Sequence, residues 1–216
     1  MRMRRKPWAK EMIKQRTDCV ISDPTTLKSN WKTFGYDTIV VEIGAGKGDY
    51  WIGMGKKNPK ELWIAIEKNI DAAAMALKKS IDCTKENMKF IVGDADKINL
   101  WFEDNEVDRI HLNFSDPWPK KAHTKRRLTY DTFLNRYQKV LKKGGCIIMK
   151  TDNAKLFEYS LVTFCKNKWS LKEVSVDFRR ETNDEDVITE YENNFMQLGQ
   201  PIYRAIFQVP TGEIND

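Results

Sequence analysis

Short apolar runs alternate with longer helical patterns along most of this 216-residue chain. The apolar runs predict strands at 38–43, 62–66, 88–92, 107–114, 145–150, 169–176 and 202–209. Helical periodicity between them predicts helices near 48–57, 70–82, 129–142 and 153–166. Most of the predicted strands lack a strict alternation of apolar and polar residues, which is typical of strands buried on both faces.

Strands and helices in regular turn predict an α/β fold. We expect a doubly wound, mostly parallel, Rossmann-like sheet of seven strands. The last two predicted strands have only a loop between them, which favours an antiparallel strand pair at one edge of the sheet. Residues 31–216 are expected to form this domain, and residues 1–30 a basic N-terminal arm with one or two helical turns.

The composition is that of a globular protein with a positive charge. Apolar residues make up 41% of the chain, charged residues 31%, and the net charge is +6 at neutral pH. Lys and Arg are concentrated in residues 1–16 and 120–127, which favours a polyanionic partner. No apolar run approaches the roughly 18 residues of a membrane span, and the N-terminus has no apolar stretch of the signal-peptide kind. We therefore expect a soluble protein without a membrane partner.

The cysteines and histidines indicate neither a metal site nor a disulfide framework. Four cysteines lie far apart with no C-x-x-C pair, and the chain has only two histidines. We therefore expect reduced thiols and a cytoplasmic location.

Acidic residues stand at or just after five successive predicted strands. A doubly wound sheet binds its ligand beyond the carboxyl ends of its strands, so residues at these positions are site candidates. The five acids are Glu42, Glu67, Asp94, Asp116 and Asp152. Taken singly, Glu67 could open a helix at the surface, and Asp94 and Asp152 could be helix N-caps. Five acids in five such positions favour a shared ligand instead.

The turn after the first predicted strand reads EIGAGKG, with glycines at positions 44, 46 and 48. The dinucleotide fingerprint G-x-G-x-x-G would place its third glycine at position 49, which is Asp49, so a nicotinamide cofactor is disfavoured. The spacing E-x-G-x-G-x-G resembles motif I of the class I methyltransferases that use S-adenosylmethionine. In those enzymes the backbone of this turn meets the methionine part of the cofactor.

A longer stretch, NFSDPWPKKAHTKRRL, resembles the signature of the bacterial tRNA (guanine-N7-)-methyltransferase family. The segments KTDN around Asp152, TEYE at 189–192 and GQPIYRA at 199–205 follow in the order found in that family. The resemblance covers the chain from about Glu42 to Ala205. It implies a class I methyltransferase fold and methyl transfer from S-adenosylmethionine to N7 of a guanine in the variable loop of tRNA.

The resemblance also implies individual roles. The implied cofactor contacts are Glu42, Gly44, Gly46, Glu67, Asp94 and Asp116. Asp116 is also the implied catalytic residue. The implied substrate contacts are Lys120, Asp152, Thr189, Glu190, Tyr191 and Glu192. The segment implied to meet RNA consists of Ala122, His123, Thr124, Lys125, Arg126 and Arg127.

The chemistry of guanine N7 agrees with these residues. N7 carries an in-plane lone pair and needs no deprotonation before it attacks a methyl group, so catalysis would be mostly positioning, an effect that allows about 7 to 11 kcal/mol. We expect Asp116 to orient the guanine by accepting hydrogen bonds from its N1 or N2 protons. Trp118 either stacks on a nucleobase or packs its loop against the sheet. Asp184–Asp186 are expected in a solvated loop.

Three alternatives stay open. The Asp-Pro-Trp-Pro segment is related to the motif of amino-group methyltransferases, so an adenine-N6 type nucleic-acid enzyme is the first alternative. A non-catalytic RNA-binding protein on the same fold and a nicotinamide oxidoreductase are the others. The sequence leaves a monomer and a homodimer equally open.

Overall fold

The computed structural model describes residues 5–210 as a seven-stranded sheet with helices on both faces. The strands are β1 (Thr38–Ile43), β2 (Glu61–Glu67), β3 (Met88–Val92), β4 (Val107–Asn113), β5 (Leu141–Thr151), β6 (Ser170–Ser175) and β7 (Tyr203–Gln208). Their order in the sheet is β3-β2-β1-β4-β5-β7-β6. All neighbours are parallel except β7, which is antiparallel to both β5 and β6. The predicted fold, with its antiparallel pair at one edge, is confirmed.

Seven α-helices accompany the strands in the described part of the chain. They are α1 (Ala9–Gln15), α2 (Asp49–Lys57), α3 (Ile70–Lys79), α4 (Ile98–Trp101), α5 (Asp131–Val140), α6 (Ala154–Lys166) and α7 (Glu190–Gln197). The four predicted helices correspond to α2, α3, α5 and α6. The helix predicted at 129–142 was too long at its end, because Leu141 already pairs with Val107 at the start of β5.

Both faces of the sheet are buried, which explains why the strands lack alternation. In β1, Ile39 and Val41 belong to one apolar cluster, together with Leu134 of α5 and Phe164 of α6. Val40 points to the opposite face, where a second cluster contains residues of α2 and α3. Successive residues of one strand therefore enter different cores, and all of them must be apolar.

The described part of the N-terminal segment is packed against the domain. Helix α1 contacts α3, and the Arg16 guanidinium bonds to the Leu77 carbonyl and, at 2.9 Å, to Ser80 Oγ. Val20 forms a parallel bridge with Phe90 at the edge of the sheet. Residues 1–4 of the predicted arm lie outside the described residues, as do residues 211–216 of the predicted domain, and the boundary at residue 30 stays a prediction.

None of the helices within residues 5–210 has the length and apolar character that crossing a membrane requires.

Candidate active site

Two adjoining cavities open at the carboxyl ends of the parallel strands. The first, of about 270 Å³, is lined by Glu42, residues 44–47, Tyr50, Phe114 and the N-terminal part of α7. The second, of about 190 Å³, is lined by Glu67, Asp94, Phe114, Asp116, Trp118 and Arg126, among others. We call them the α7 cavity and the β2 cavity. They share Gly44 and Phe114, so one ligand can extend from one cavity into the other at this junction.

The turn between β1 and α2 is built by glycines. Gly44, Gly46 and Gly48 all have positive φ, at 80°, 55° and 80°. Gly48 also lies against α3, where an added Cβ would come within 2.7 Å of the Ala76 Cβ. The backbone of Gly44 and Gly46 has open space toward the cavity, so a ligand can approach it closely.

Glu42 is a buried acid in the wall of the α7 cavity. Its Oε1 accepts a hydrogen bond from Asn113 Nδ2 at 3.1 Å, and its buried Oε2 has no hydrogen-bond partner within residues 5–210. Burial raises the pKa of Glu42 to about 7, although the bond from Asn113 and the charge of Lys150 oppose the shift. The orphaned oxygen is suited to an N–H donor or a cation on a ligand.

Glu67 connects β2 to the glycine turn. Its Oε2 accepts from the Gly46 amide at 2.9 Å, and its Oε1 accepts from the Asn69 amide at 2.7 Å. The side chain is only 9% exposed, so the surface-helix interpretation of Glu67 is wrong. Each oxygen keeps a further lone pair, and the residue lines the β2 cavity.

The two N-cap alternatives have opposite outcomes. Asp94 does cap the short 3₁₀ helix Ala95–Lys97, since its Oδ1 accepts from the Asp96 amide at 3.1 Å, and it also lines the β2 cavity. Asp152 is not an N-cap, because Asn153 caps α6 by accepting from the Leu156 amide at 2.8 Å.

Asp116 lies in an exposed loop with a strained backbone. Phe114 and Trp118 both have positive φ, at 50° and 40°, which bulky side chains rarely adopt. The Phe114 amide donates to the Lys150 carbonyl at 2.8 Å, and Arg127 donates to the carbonyls of Pro117 and Trp118 at 3.0 and 3.2 Å. These bonds hold the loop in the shape that places Asp116 beside the β2 cavity.

The segment predicted to meet RNA forms a 3₁₀ helix, Lys121–Arg126. The Trp118 ring contacts the Arg126 guanidinium, 4.9 Å from the ring centroid, and the edge of the His123 ring at 5.7 Å. Lys120, Lys121 and Lys125 are exposed. Arg127 differs from its neighbours because its guanidinium already donates hydrogen bonds to backbone carbonyls of the loop. Ala122 is exposed and Thr124 half-buried.

The TEYE segment begins α7 with a capping box. Thr189 accepts from the Glu192 amide at 3.1 Å, and the Glu192 carboxylate faces the Thr189 amide in return. Thr189, Glu190 and Tyr191 line the α7 cavity. Glu192 does not line it, because its side chain is fully buried and pairs with Lys150 and Arg179.

Asp152, Asp116 and Tyr191 converge although they come from three segments. Burial raises the pKa of Tyr191, and the neighbouring carboxylates of Asp152 and Asp116 raise it further. Burial likewise raises the pKa of Asp152, against the effect of a hydrogen bond from Tyr191. The Tyr191 ring lies 4.9 Å from that of Phe114, at the junction of the two cavities.

The expectation of a solvated acidic loop is wrong for Asp186 and right for its neighbours. Asp184 and Glu185 are exposed. Asp186 instead accepts from the Tyr50 hydroxyl at 2.7 Å and from Lys150 Nζ at 2.6 Å, and its side chain is 7% exposed. No signal close to Asp186 in the sequence indicates burial, since Lys150 and Tyr50 are distant along the chain.

The strand order, the glycine turn after β1 and the acids at the ends of β1 and β2 define a class I methyltransferase. Similar solved folds include the 16S rRNA methyltransferase KamB, with a TM-score of 0.63 and 12% identity over 84% of this chain and 93% of that chain. An antibiotic-related methyltransferase has a TM-score of 0.60 and 16% identity over 81% of this chain and 89% of that chain. Identities this low establish the fold alone.

Sequence comparison defines the family. The sequence profile of a family described as "Putative methyltransferase" matches residues 36–205. The tRNA (guanine-N(7)-)-methyltransferase of Bacillus subtilis (strain 168) is 47% identical over 95% of this chain and 97% of its own length. The protein of that name from Exiguobacterium sp. (strain ATCC BAA-1283 / AT1b) is 44% identical over 96% of this chain and 99% of its own length. The chain belongs to the tRNA (guanine-N7-)-methyltransferase family.

Proposed function

We propose that this chain transfers the methyl group of S-adenosylmethionine to N7 of a guanine in the variable loop of tRNA. The observation that carries the proposal is the junction of the two cavities at Gly44 and Phe114. A methyl donor that spans both cavities has its reactive centre near their junction, where an acceptor base can meet it. Kinship with the tRNA (guanine-N7-)-methyltransferases supports guanine as the base and tRNA as the substrate. Because tRNA is the substrate, the protein acts in the cytoplasm.

The residues present fit the cofactor. In the β2 cavity, Glu67 and Asp94 offer carboxylate oxygens to the ribose hydroxyls and the adenine amino group. In the α7 cavity, the unpartnered Oε2 of Glu42 and the open backbone of Gly44 and Gly46 suit the cationic methionine part. When bound, the cofactor supplies an electrophilic methyl group.

The chain's own residues then act on the guanine. Asp116 and Asp152 accept hydrogen bonds from the N1 and N2 protons of the base, which leaves its N7 lone pair free to attack the methyl group. Neither acid removes a proton before the attack. Methylation gives the guanine a positive charge, and carboxylates already in place stabilise that charge without reorganisation. We call the space at the cavity junction that Asp116, Asp152 and Tyr191 border the base site. Thr189 and Glu190 continue its wall into the α7 cavity.

Binding of the tRNA itself depends on the exposed cations that follow Asp116. Lys120, Lys121 and Lys125 are exposed, have no ion-pair partner within residues 5–210 and belong to the same segment as Trp118 and Arg126, which line the β2 cavity. Such cations position a nucleic acid through its phosphates, while base contacts in the cavity select the nucleotide.

The testing experiment supplies labelled S-adenosylmethionine and unmodified tRNA, digests the product to nucleosides and identifies the labelled one by mass spectrometry. We expect label in 7-methylguanosine. Asp116→Asn should lower kcat by about 10- to 100-fold, because the neutral amide keeps only one acceptor oxygen and a charged hydrogen bond to the base is lost. Asp104→Asn, in an exposed turn before β4, serves as the matched control and should leave kcat unchanged.

Other results would redirect the proposal. Label in an amino-methylated adenosine would support the amino-group methyltransferase instead. Tight tRNA binding without label would support a binding protein on the same fold. Near-normal turnover by Asp116→Asn would remove the catalytic role of that residue.

A further inference from the structure

A buried cluster of four charged side chains borders the α7 cavity. Lys150 Nζ lies 2.6 Å from Asp186 Oδ2 and 3.1 Å from Glu192 Oε2. Arg179 Nε lies 2.6 Å from Glu192 Oε1, and Arg179 also pairs with Asp186. All four side chains are at most 7% exposed. Two positive and two negative charges make the cluster neutral.

The cluster reaches the cavity wall on two sides. The Tyr50 hydroxyl, in that wall, donates to Asp186 at 2.7 Å and contacts His111 Nδ1 at 3.1 Å. On the other side, Glu192 closes the capping box with Thr189, which also lines the cavity. Any shift of the cluster therefore moves both walls.

Stability alone does not account for this arrangement. Removing charges from water is costly, and well-packed apolar residues often stabilise a protein as well as buried ion pairs do. What a buried ionic cluster provides is one defined geometry, because each charge must face its partner.

The geometry that it defines is that of the base site. Lys150 precedes Asp152 by two positions at the end of β5, and Glu192 follows Tyr191 by one position in α7. The Lys150–Glu192 pair inside the domain therefore sets how Asp152 and Tyr191 face each other at the cavity. In this way the buried pair fixes the relative position of Asp152 and Tyr191.

We propose that Lys150 is a positioning residue that, through Asp186, Glu192 and Arg179, holds Asp152 and Tyr191 in the arrangement that selects guanine. The proposal rests on the proposed function, since it names how the same site distinguishes its base. Lys150 itself touches neither the base nor the cofactor.

The experiment compares two tRNAs that carry guanosine or inosine at the methylated position. Inosine keeps N7 and lacks the 2-amino group, so it removes one hydrogen bond to a carboxylate. The wild-type protein should favour guanosine in kcat/KM by about 10- to 100-fold. The charge-balanced double variant Lys150→Gln with Glu192→Gln should favour it by less than about threefold. A ratio of two substrates is independent of the fraction of folded enzyme, so a purely structural role leaves it unchanged.

Two further variants complete the design. Lys142→Met breaks the Lys142–Asp108 pair, 2.7 Å long and at the opposite end of β5, and should lower stability without changing the ratio. Glu192→Gln alone keeps the size of the side chain and should reduce the ratio even if the double variant does not fold.

The inference is overturned if Glu192→Gln and any folded double variant keep the wild-type ratio, or if the wild-type protein does not distinguish the two tRNAs. Absence of 7-methylguanosine from the wild-type reaction with guanosine tRNA is a separate result, and it would count against the proposed function.

Discussion

Among single residues, Glu42 shows most directly how a site residue opposes stability. The usual pKa of a glutamate is 4.5, and burial raises the pKa of Glu42 to about 7. Between these pH values the folded protein binds a proton that the unfolded chain has released, so stability falls as the pH rises through this range. Below 4.5 both states are protonated, and the stability contributed by the neutral carboxyl is fully present.

Replacing Glu42 with Gln should abolish this loss. A pKa difference between 4.5 and about 7 corresponds to about 3 kcal/mol, so Glu42→Gln should be more stable than the wild type by about that amount at pH 8.5 and nearly equal to it at pH 4.5. Urea unfolding at both pH values measures the difference. Glu86→Gln, at an exposed position, is the control and should show no such pH dependence. An equal effect of Glu42→Gln at both pH values would disprove the linkage.

Site candidates could be predicted from the sequence where an acidic residue ends or follows an apolar strand. Glu42 was identifiable because it ends an apolar strand, and Glu67 and Asp94 because they follow the next two. Asp186 was not, since its burial depends on Lys150, 36 positions away, and on Arg179, which lies in a separate short helix. A partner that only the fold brings close leaves no local pattern.

Strands were predictable from their apolar runs whether or not both of their faces are buried. Six of the seven were located within one residue at each end, including the exposed edge strand β6, whereas β5 begins at Leu141, four residues before its predicted start. Helix α7 was not predicted as a helix, although Thr189 and Glu192 carry the Thr-x-x-Glu pattern of a capping box. Its outer face is polar, so the periodic signal that identified α5 and α6 is weak there.

The loop from Phe114 to Arg127 gives a prediction for a whole element. Arg127→Ala removes two hydrogen bonds to the carbonyls of Pro117 and Trp118 and frees a backbone held at positive φ. Asp116 then loses its fixed position beside the β2 cavity. Affinity for S-adenosylmethionine, measured by calorimetry, should fall by about tenfold or more.

Lys121→Ala, in the adjoining 3₁₀ helix, is the matched control for Arg127→Ala. Its side chain is exposed and lines neither cavity, so it should weaken tRNA binding and leave cofactor affinity unchanged. If Arg127→Ala behaves like Lys121→Ala, Arg127 contacts RNA, as the family resemblance implies, and the loop does not depend on it.

At the scale of the whole molecule, the site lies at the carboxyl ends of the parallel strands, and exposed cations lie in the same region. Parallel strands direct all their carboxyl ends the same way, so residues far apart in the chain meet there. The exposed cations Lys120, Lys121 and Lys125 belong to the same segment as Arg126, which lines the β2 cavity, and we expect them to meet the RNA there.

Salt dependence distinguishes this local role from a general effect of net charge. Each phosphate contact contributes about 0.7 to 0.9 to the slope of log affinity against log salt concentration. Replacing Lys120, Lys121 and Lys125 with Ala should therefore reduce the slope for tRNA binding by about two. Replacing Lys56, Lys60 and Lys143, which are exposed near the amino ends of the strands, removes the same charge and should leave the slope almost unchanged. Equal reductions by the two triple variants would mean that tRNA binding responds to the total charge of the protein and not to the local cluster of Lys120, Lys121 and Lys125.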